Sequence, residues 1–455
     1  MTDTIFALSS AAGVAGVAVF RISGPSAGNA LDALSGRRPP PRQASLMSLR
    51  NPRDDVEIDR SLVLWFPEPR SFTGEDVVEL HVHGGRSVLS GVVKALSSLD
   101  GFRAAEAGEF TRRAFDNDKL DLSEVEGLAD LIASETEAQR SQALRQMDGS
   151  LSNLSEDWKV QLVRILAHIE AVIDFPDEDL PDAVVVEIGR NLAALTDEIG
   201  RYLDDAGVGE RLRDGLTAVI VGAPNAGKSS LLNALAKRDA VIVSETAGTT
   251  RDVVEVHLDL EGYPMTLADT AGIRELDNSS EMAVEAEGIR RAKARAGTAD
   301  LKIAVFDLTR WPHLDPTTIG MIDASTIVVL NKIDACDTFD LESGGLAHTF
   351  NTSNVVILSA RETSGIAGLI EHLKEKAAEL LEGAGEAAVI TRSRHRSAFQ
   401  DCHAALKRAG TTDLQDAELV AEDLRLAIRA IGRIAGRVDV EELLDVVFRD
   451  FCIGK

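Results

Sequence analysis

The stretch "LTAVIVGAPNAGKSSLLNALA", Leu216 to Ala236, constrains this chain more than any other part of it. A mostly apolar run enters G-x-x-x-x-G-K-S, Gly222 to Ser229, and helix-forming residues follow at once. Strand, glycine-rich loop and helix start, in that order, make a phosphate cradle, because the loop's backbone N–H groups and the helix N-terminus both face an anion. Three further loops each follow an apolar strand: "LADTAG" (Leu267 to Gly272), "VVLNKID" (Val328 to Asp334) and "ILSAR" (Ile357 to Arg361). Strands alternate with helices from about residue 213 to residue 380, which specifies a parallel sheet covered on both faces. This segment reads as a P-loop nucleotide-binding domain of α/β class.

The four loops assign roles. Asn225, Ala226 and Gly227 supply backbone to the phosphates, Lys228 reaches the terminal ones, and Ser229, with Ser230 beside it, opens the helix and offers a hydroxyl to magnesium. Asp269 stands where a magnesium-proximal carboxylate is expected. It is followed by Thr270, Ala271 and Gly272, whose N–H can meet a γ-phosphate. Asp334 can accept two hydrogen bonds from the N–H edge of guanine, which adenine lacks, so ATP would leave a buried carboxylate unpaired. Asn331 and Lys332 complete that loop; Ser359, Ala360 and Arg361 form the next, with the Ala360 amide a candidate donor to the guanine carbonyl. "ETAGTTRD", Glu245 to Asp252, reads as a first switch in which Thr250 joins Ser229 on magnesium. Where Ras-like proteins carry a water-orienting Gln this chain has Ile273, so another group must position the attacking water or GTP turns over slowly.

Outside this segment the pattern changes. Residues 1–118 look mixed α/β, with "VAVFRISG", "RSLVLWF" and "DVVELHVHGG" as strands between Pro- and Gly-rich turns. In the last of these Glu79, His81 and His83 share one face and Val78, Leu80 and Val82 the other, so the polar face is a ligand floor, a metal site or a solvated surface. Residues 119–212 and 381–455 carry helical periodicity. Ser123 and Glu126 form a capping box; Leu151, Leu154, Trp158, Leu162, Ile165 and Ile169 mark a second helix, and Val186 to Leu203 a third. The expected architecture is an amino-terminal α/β domain followed by a helical domain interrupted by the GTPase insertion, its two pieces burying their faces together.

Composition narrows the partners. With 48 basic against 74 acidic residues and a net charge of -26, phosphate contact with nucleic acid needs a local basic patch. "TRSRHRS", with Arg392, Arg394 and Arg396, is the densest cluster, either a phosphate contact or a solvated helix start. Cys336, Cys402 and Cys452 are widely spaced without a C-x-x-C pair, which fits a reducing cytosol and signals neither disulfides nor zinc. No apolar run is long enough to span a bilayer.

Together with "FTGEDVVELHVHGG", "AGEFTRRAFDNDKLDL", "IDFPDEDL" and the closing "FCIGK", the GTPase loops resemble the MnmE (TrmE) family of tRNA-modifying GTPases over essentially the whole chain. The resemblance implies a cytoplasmic homodimer that works with the flavoprotein MnmG, as a heterotetramer, to install a carboxymethylaminomethyl group on the wobble uridine of certain tRNAs. It implies that the amino-terminal domain serves folate binding and dimerisation, with Arg21, Glu79, Lys119 and Lys455 on contact positions for a formyl-tetrahydrofolate. It implies a potassium ion near Asn225, Ser244, Thr246 and Thr249 that stimulates hydrolysis as two GTPase domains meet. The family's water-positioning Glu matches Glu285, with Glu281 and Glu287 as rivals because extra residues stand around "LDNSS". The tail is implied to lie beside the folate pocket, where the Lys455 ammonium would favour the Cys452 thiolate, so Cys452 is assigned to modification chemistry and not to the GTPase site. A GTPase switch of the ribosome-assembly type is the competing reading, and no KH-type G-x-x-G module supports it.

Overall fold

The computed structural model describes residues 3–11, 13–174, 182–205, 207–237, 255–269, 295–336, 350, 354–382, 389–412, 416–436, 447, 448, 451 and 454. The amino-terminal part comprises β1 (Thr4–Leu8), β2 (Ala18–Ser23), α1 (Ala27–Ser35), β3 (Ser45–Arg50), β4 (Glu57–Phe66), β5 (Val77–Val82), α2 (Arg86–Leu96), β6 (Phe102–Ala104) and α3 (Glu109–Asp116). Its sheet runs β3-β4-β5-β2-β1-β6, antiparallel except for the β1–β6 pair. The alternation expected for β5 is present: Val78, Leu80 and Val82 are buried while Glu79 and His81 stand half-buried on the other face. Phe20, Ile22, Leu31, Leu49, Val63 and Leu80 make its core, each contributing about 1.5–3 kcal/mol by leaving water.

Helices α4 (Leu122–Ala133), α5 (Glu137–Met147), α6 (Ser150–Asp174), α7 (Asp182–Leu203) and α8 (Val208–Asp214) follow. The capping box at the start of α4 lies two residues before the expected one. Asp121 Oδ1 accepts the Glu124 N–H at 3.0 Å, and Glu124 Oε2 accepts the Asp121 N–H at 2.8 Å. The apolar stripe already begins at Leu122, so the cap precedes it; Ser123 is buried and donates to Asp121 Oδ1 at 3.0 Å.

Then come β7 (Leu216–Val221), α9 (Lys228–Leu235), β8 (Glu255–Leu260), β9 (Tyr263–Asp269), β10 (Leu301–Asp307), β11 (Thr326–Asn331), β12 (Val355–Leu358), α10 (Ile366–Leu380), α11 (Ser393–Thr411) and α12 (Ala417–Gly432). This sheet runs β12-β11-β10-β7-β9-β8, parallel throughout except for β8. All six residues of β11 are buried, as expected for a strand covered on both faces.

The chain divides into two compact units. One holds Met1–Ala129, Gln146–Ala193 and Asp401–Lys455; the other holds Asp130–Arg145 and Ala194–Gln400. Within the first, α6 buries Leu151, Trp158, Leu162, Ile165 and Ile169 and packs along α12, so helices from either side of the insertion share one core. Within the second, the GTPase sheet is joined by α8, whose Val208 and Leu212 enter its core.

Candidate functional site

The phosphate loop leaves β7 at Val221 and turns into α9 through Gly227, whose φ of +99° suits a residue without a side chain. A Cβ there would collide with Nδ2 of Asn331. Lys228 Nζ donates to the Gly222 carbonyl at 2.8 Å and to that of Ala223 at 3.1 Å, which holds the ammonium at the loop. Asn225, Ser229 and Ser230 are exposed at the mouth, and Ala226 is buried beneath them.

Asn331, at the end of β11, ties three loops together. Its Nδ2 donates to the Ala226 carbonyl at 2.9 Å, and its Oδ1 accepts the Ala360 N–H at 3.0 Å. The side chain is buried, so both ends of the amide are matched where water cannot replace them. Ser359 is buried beside it and accepts the Glu362 N–H at 3.1 Å. Two expectations change here. The Ala360 N–H, assigned to a guanine carbonyl, already serves Asn331, so a base would share it. Asp334, expected to be buried, is exposed, as is Arg361, so the base itself would have to cover the carboxylate.

Lys332 adopts φ +72° and places its ammonium 2.7 Å from Asp307 Oδ2. Sequence reasoning passed over Asp307, because its relevance depends on β10 lying beside β11, where Asp307 faces Asn331 in register. Burial raises the pKa of Asp307, but the hydrogen bonds from Lys332 and Thr309 outweigh it and hold the carboxyl below its ordinary range. Ser244, Thr246, Thr249, Thr250, Thr270, Ala271, Gly272, Ile273, Glu281, Glu285, Glu287, Cys452 and Lys455 lie outside the described residues. Asp269 closes β9, and only its backbone is described.

In the amino-terminal sheet Arg21 and Glu79 face each other across β2 and β5. Nε and Nη2 of Arg21 donate to Glu79 Oε1 at 3.2 and 3.0 Å, and the guanidinium lies 5.3 Å from the Phe72 ring centre and 5.9 Å from that of Phe110. His81 Nε2 is 3.5 Å from Glu79 Oε2, buried and without a hydrogen bond. His83 does not extend this floor. It lies just past the end of β5 and pairs with Asp59 Oδ1 at 2.8 Å. Among the described residues no group of three or more His, Cys, Asp or Glu is placed to hold a metal ion. Lys119 is exposed, with its stem against Gly74.

The motifs "FTGED" and "GEFTRRAF" meet at Arg113, a fully buried cation that sequence reasoning missed. Its Nη1 donates to the Asp3 carbonyl at 3.1 Å and to Glu75 Oε2 at 3.0 Å, and its Nη2 donates to Asp3 Oδ1 at 3.1 Å and Glu109 Oε1 at 3.0 Å. Burial raises the pKa of Glu109, yet hydrogen bonds from Arg103, the Glu106 N–H and Arg113 leave it below the usual carboxylate range. The chain end docks on the same sheet. Gly454 has φ +99°, a Cβ there would strike the Leu8 carbonyl, and Ser9 Oγ donates to the Gly454 carbonyl at 2.9 Å. On β1, Leu8 pairs with Phe20 and Ala7 with Arg21, so the docked glycine is one strand away from the Arg21–Glu79 pair.

The basic cluster is not an open phosphate site. Arg392 pairs with Asp130 at 2.7 Å, and Arg396 pairs with Asp205 at 2.7 Å and Glu210 at 2.8 Å. An incoming phosphate would have to displace these carboxylates. Asp130 also takes Arg213 at 3.0 Å, so the segments before and after the GTPase sheet converge on one carboxylate.

Residues 4–119 match the model for the GTP-binding protein TrmE N-terminus, and residues 122–452 that for the MnmE helical domain. The chain is 54% identical to tRNA modification GTPase MnmE of Parvibaculum lavamentivorans over 100% of both chains. It is 53% identical to that of Paramagnetospirillum magneticum, also over 100% of both. Against the mitochondrial 5-taurinomethyluridine-[tRNA] synthase subunit GTPB3 of Danio rerio it is 47% identical, over 100% of this chain and 93% of the relative. Among solved structures, a variant of Aquifex aeolicus Era bound to GDP.AlF4- is 28% identical over 35% of this chain and 56% of its own, with a TM-score of 0.28.

Proposed function

The chain belongs to the MnmE (TrmE) family of tRNA modification GTPases, and from that membership we propose that it hydrolyses GTP to drive modification of the wobble uridine of tRNA. The observation that carries the GTPase reading is the Asn331 bridge, which joins the phosphate loop to the two guanine loops through one buried amide. A site joined in this way is organised before the nucleotide arrives, so less ordering cost falls on binding.

Lys228 and the α9 N-terminus hold the phosphates, Ser229 offers a hydroxyl to magnesium, and Asp334 reads the guanine N–H edge. Magnesium, when bound, neutralises charge on the β- and γ-phosphates. The exposed Asn225, with Ser244, Thr246 and Thr249, holds potassium, and Glu285 orients the water that Ile273 cannot. These assignments rest on the family resemblance, as do the homodimer, the partnership with the flavoprotein MnmG and the carboxymethylaminomethyl product.

The amino-terminal sheet takes a formyl-tetrahydrofolate. Three features support that fit: the Arg21–Glu79 pair offers donors and acceptors, the half-buried Phe72 beside it offers an apolar ring, and His81 Nε2 is a buried polar atom still lacking a partner. Lys119 and Lys455 add positive charge for the folate's carboxylates, and Cys452 serves the modification chemistry. Nucleoside analysis of tRNA from cells lacking this protein tests the whole: loss of the modified wobble uridine is expected, and unchanged tRNA would leave a binding switch. GTP turnover faster in potassium than in sodium is the expected signature of the cation, and equal rates would remove it.

A further inference from the structure

We propose that Asp307 is a positioning residue of the nucleotide site, fixing Lys332 so that its stem forms a wall against the purine. The inference rests on the GTP reading and extends it to a residue outside the four loop motifs. Asp307 ends β10 directly beside Asn331, and its carboxylate is held by the Thr309 N–H at 3.1 Å and the Thr309 hydroxyl at 2.6 Å. Its side chain is 13% exposed and that of Lys332 35%, so the 2.7 Å pair is partly screened from water.

Lys332 takes a left-handed backbone, unusual for a residue with a side chain, at φ +72°. A residue in this region is held there by its surroundings. The side chain spans from the end of β11 to the end of β10, where Asp307 lines a cavity of about 200 Å³ with Ala223, Pro224 and Ala226 of the phosphate loop. The methylene stem therefore crosses the sheet end from the loop that begins at Asn331 and carries Asp334 to the strand beside the phosphate loop. A lysine held by its ammonium presents its stem as apolar surface. Without Asp307 the same stem samples other rotamers, and ordering it again would oppose binding.

The test is stopped-flow release of fluorescent GDP, with steady-state GTP kinetics, on the full chain. Asp307→Asn keeps the size and the Thr309 acceptor but drops the charge. Release and KM should rise about two- to fivefold, the range of a part-exposed ion pair, with kcat changed less. Asp307→Glu should recover most of the loss, and Asp307→Asn should add nothing in a Lys332→Met background. If Asp307→Asn does not fold, Thr309→Val, which loosens the carboxylate, should shift release in the same direction by less. Unchanged release in the foldable variant, or additive effects in the double variant, would overturn the proposal. Failure of the wild-type chain to bind GDP would instead overturn the GTP reading on which it rests.

Discussion

The nucleotide loops and the amino-terminal floor are both sites at the ends or faces of six-stranded sheets, yet they are built from different material. The first is shaped by backbone: Gly227 can tolerate no side chain, and Asn331 holds main-chain groups of Ala226 and Ala360. The second is shaped by side chains meeting across strands, Arg21 on Glu79, and Arg113 on Asp3, Glu75 and Glu109. Backbone sites are constrained by a few short local patterns. Side-chain sites depend on register and on residues far apart in the chain.

Substitutions should separate the two. The largest effect is expected in the amino-terminal unit, where Arg113→Met takes a fully buried cation away from Asp3, Glu75 and Glu109 and leaves Arg103 to pair with the first and last alone. Loss of one partner in such a cluster costs about 3–5 kcal/mol, read as a lower denaturation midpoint of the full chain. GDP affinity at conditions where the variant is folded should stay near wild type. Gly227→Ala should do the reverse. It strains φ +99° and displaces Asn331, costing about 1–3 kcal/mol of nucleotide affinity with a small change in melting temperature. A Gly227→Ala protein that binds GDP normally would break the distinction.

Glu79→Gln should weaken formyl-tetrahydrofolate binding by about tenfold in calorimetry, since a charge-assisted pair becomes neutral, while GTP turnover is unaffected. The smallest readout is chemical. Burial, with the nearby Asp401 charge second, pushes the Cys402 thiol up to about 12, so its thiolate is scarce at pH 8. Iodoacetamide should label the half-buried Cys336 in the native chain and reach Cys402 after unfolding. Rapid native labelling of Cys402 would show that α11 opens easily.

What could be read beforehand follows the same division. The glycine-rich loop and its three companions give away a parallel sheet and a guanine site because each role is local to a handful of residues. β5 was legible from alternation, whereas β1, β3 and β6 are short and lack a clean apolar and polar period. Asp307 and Arg113 were not legible, since one matters through strand adjacency and the other through three carboxylates spread over the first 109 residues. Arg392 and Arg396 misled for the complementary reason: a run of like charge says nothing about Asp130, Asp205 and Glu210, far away in sequence, that neutralise it. The closing "FCIGK" is explained in one of its residues. Gly454 lets the chain end approach β1 more closely than any side chain would allow.

Base discrimination at Asp334 tests the central claim most directly. Binding of GDP, ADP and xanthosine diphosphate should be measured for the wild-type chain and for Asp334→Asn. The wild type should prefer GDP over ADP by orders of magnitude, and Asp334→Asn should lose GDP while gaining the xanthine nucleotide, whose carbonyl replaces the amino group that the carboxylate accepts from. Equal affinity of the wild type for GDP and ADP, or an Asp334→Asn chain that still prefers GDP, would contradict the account.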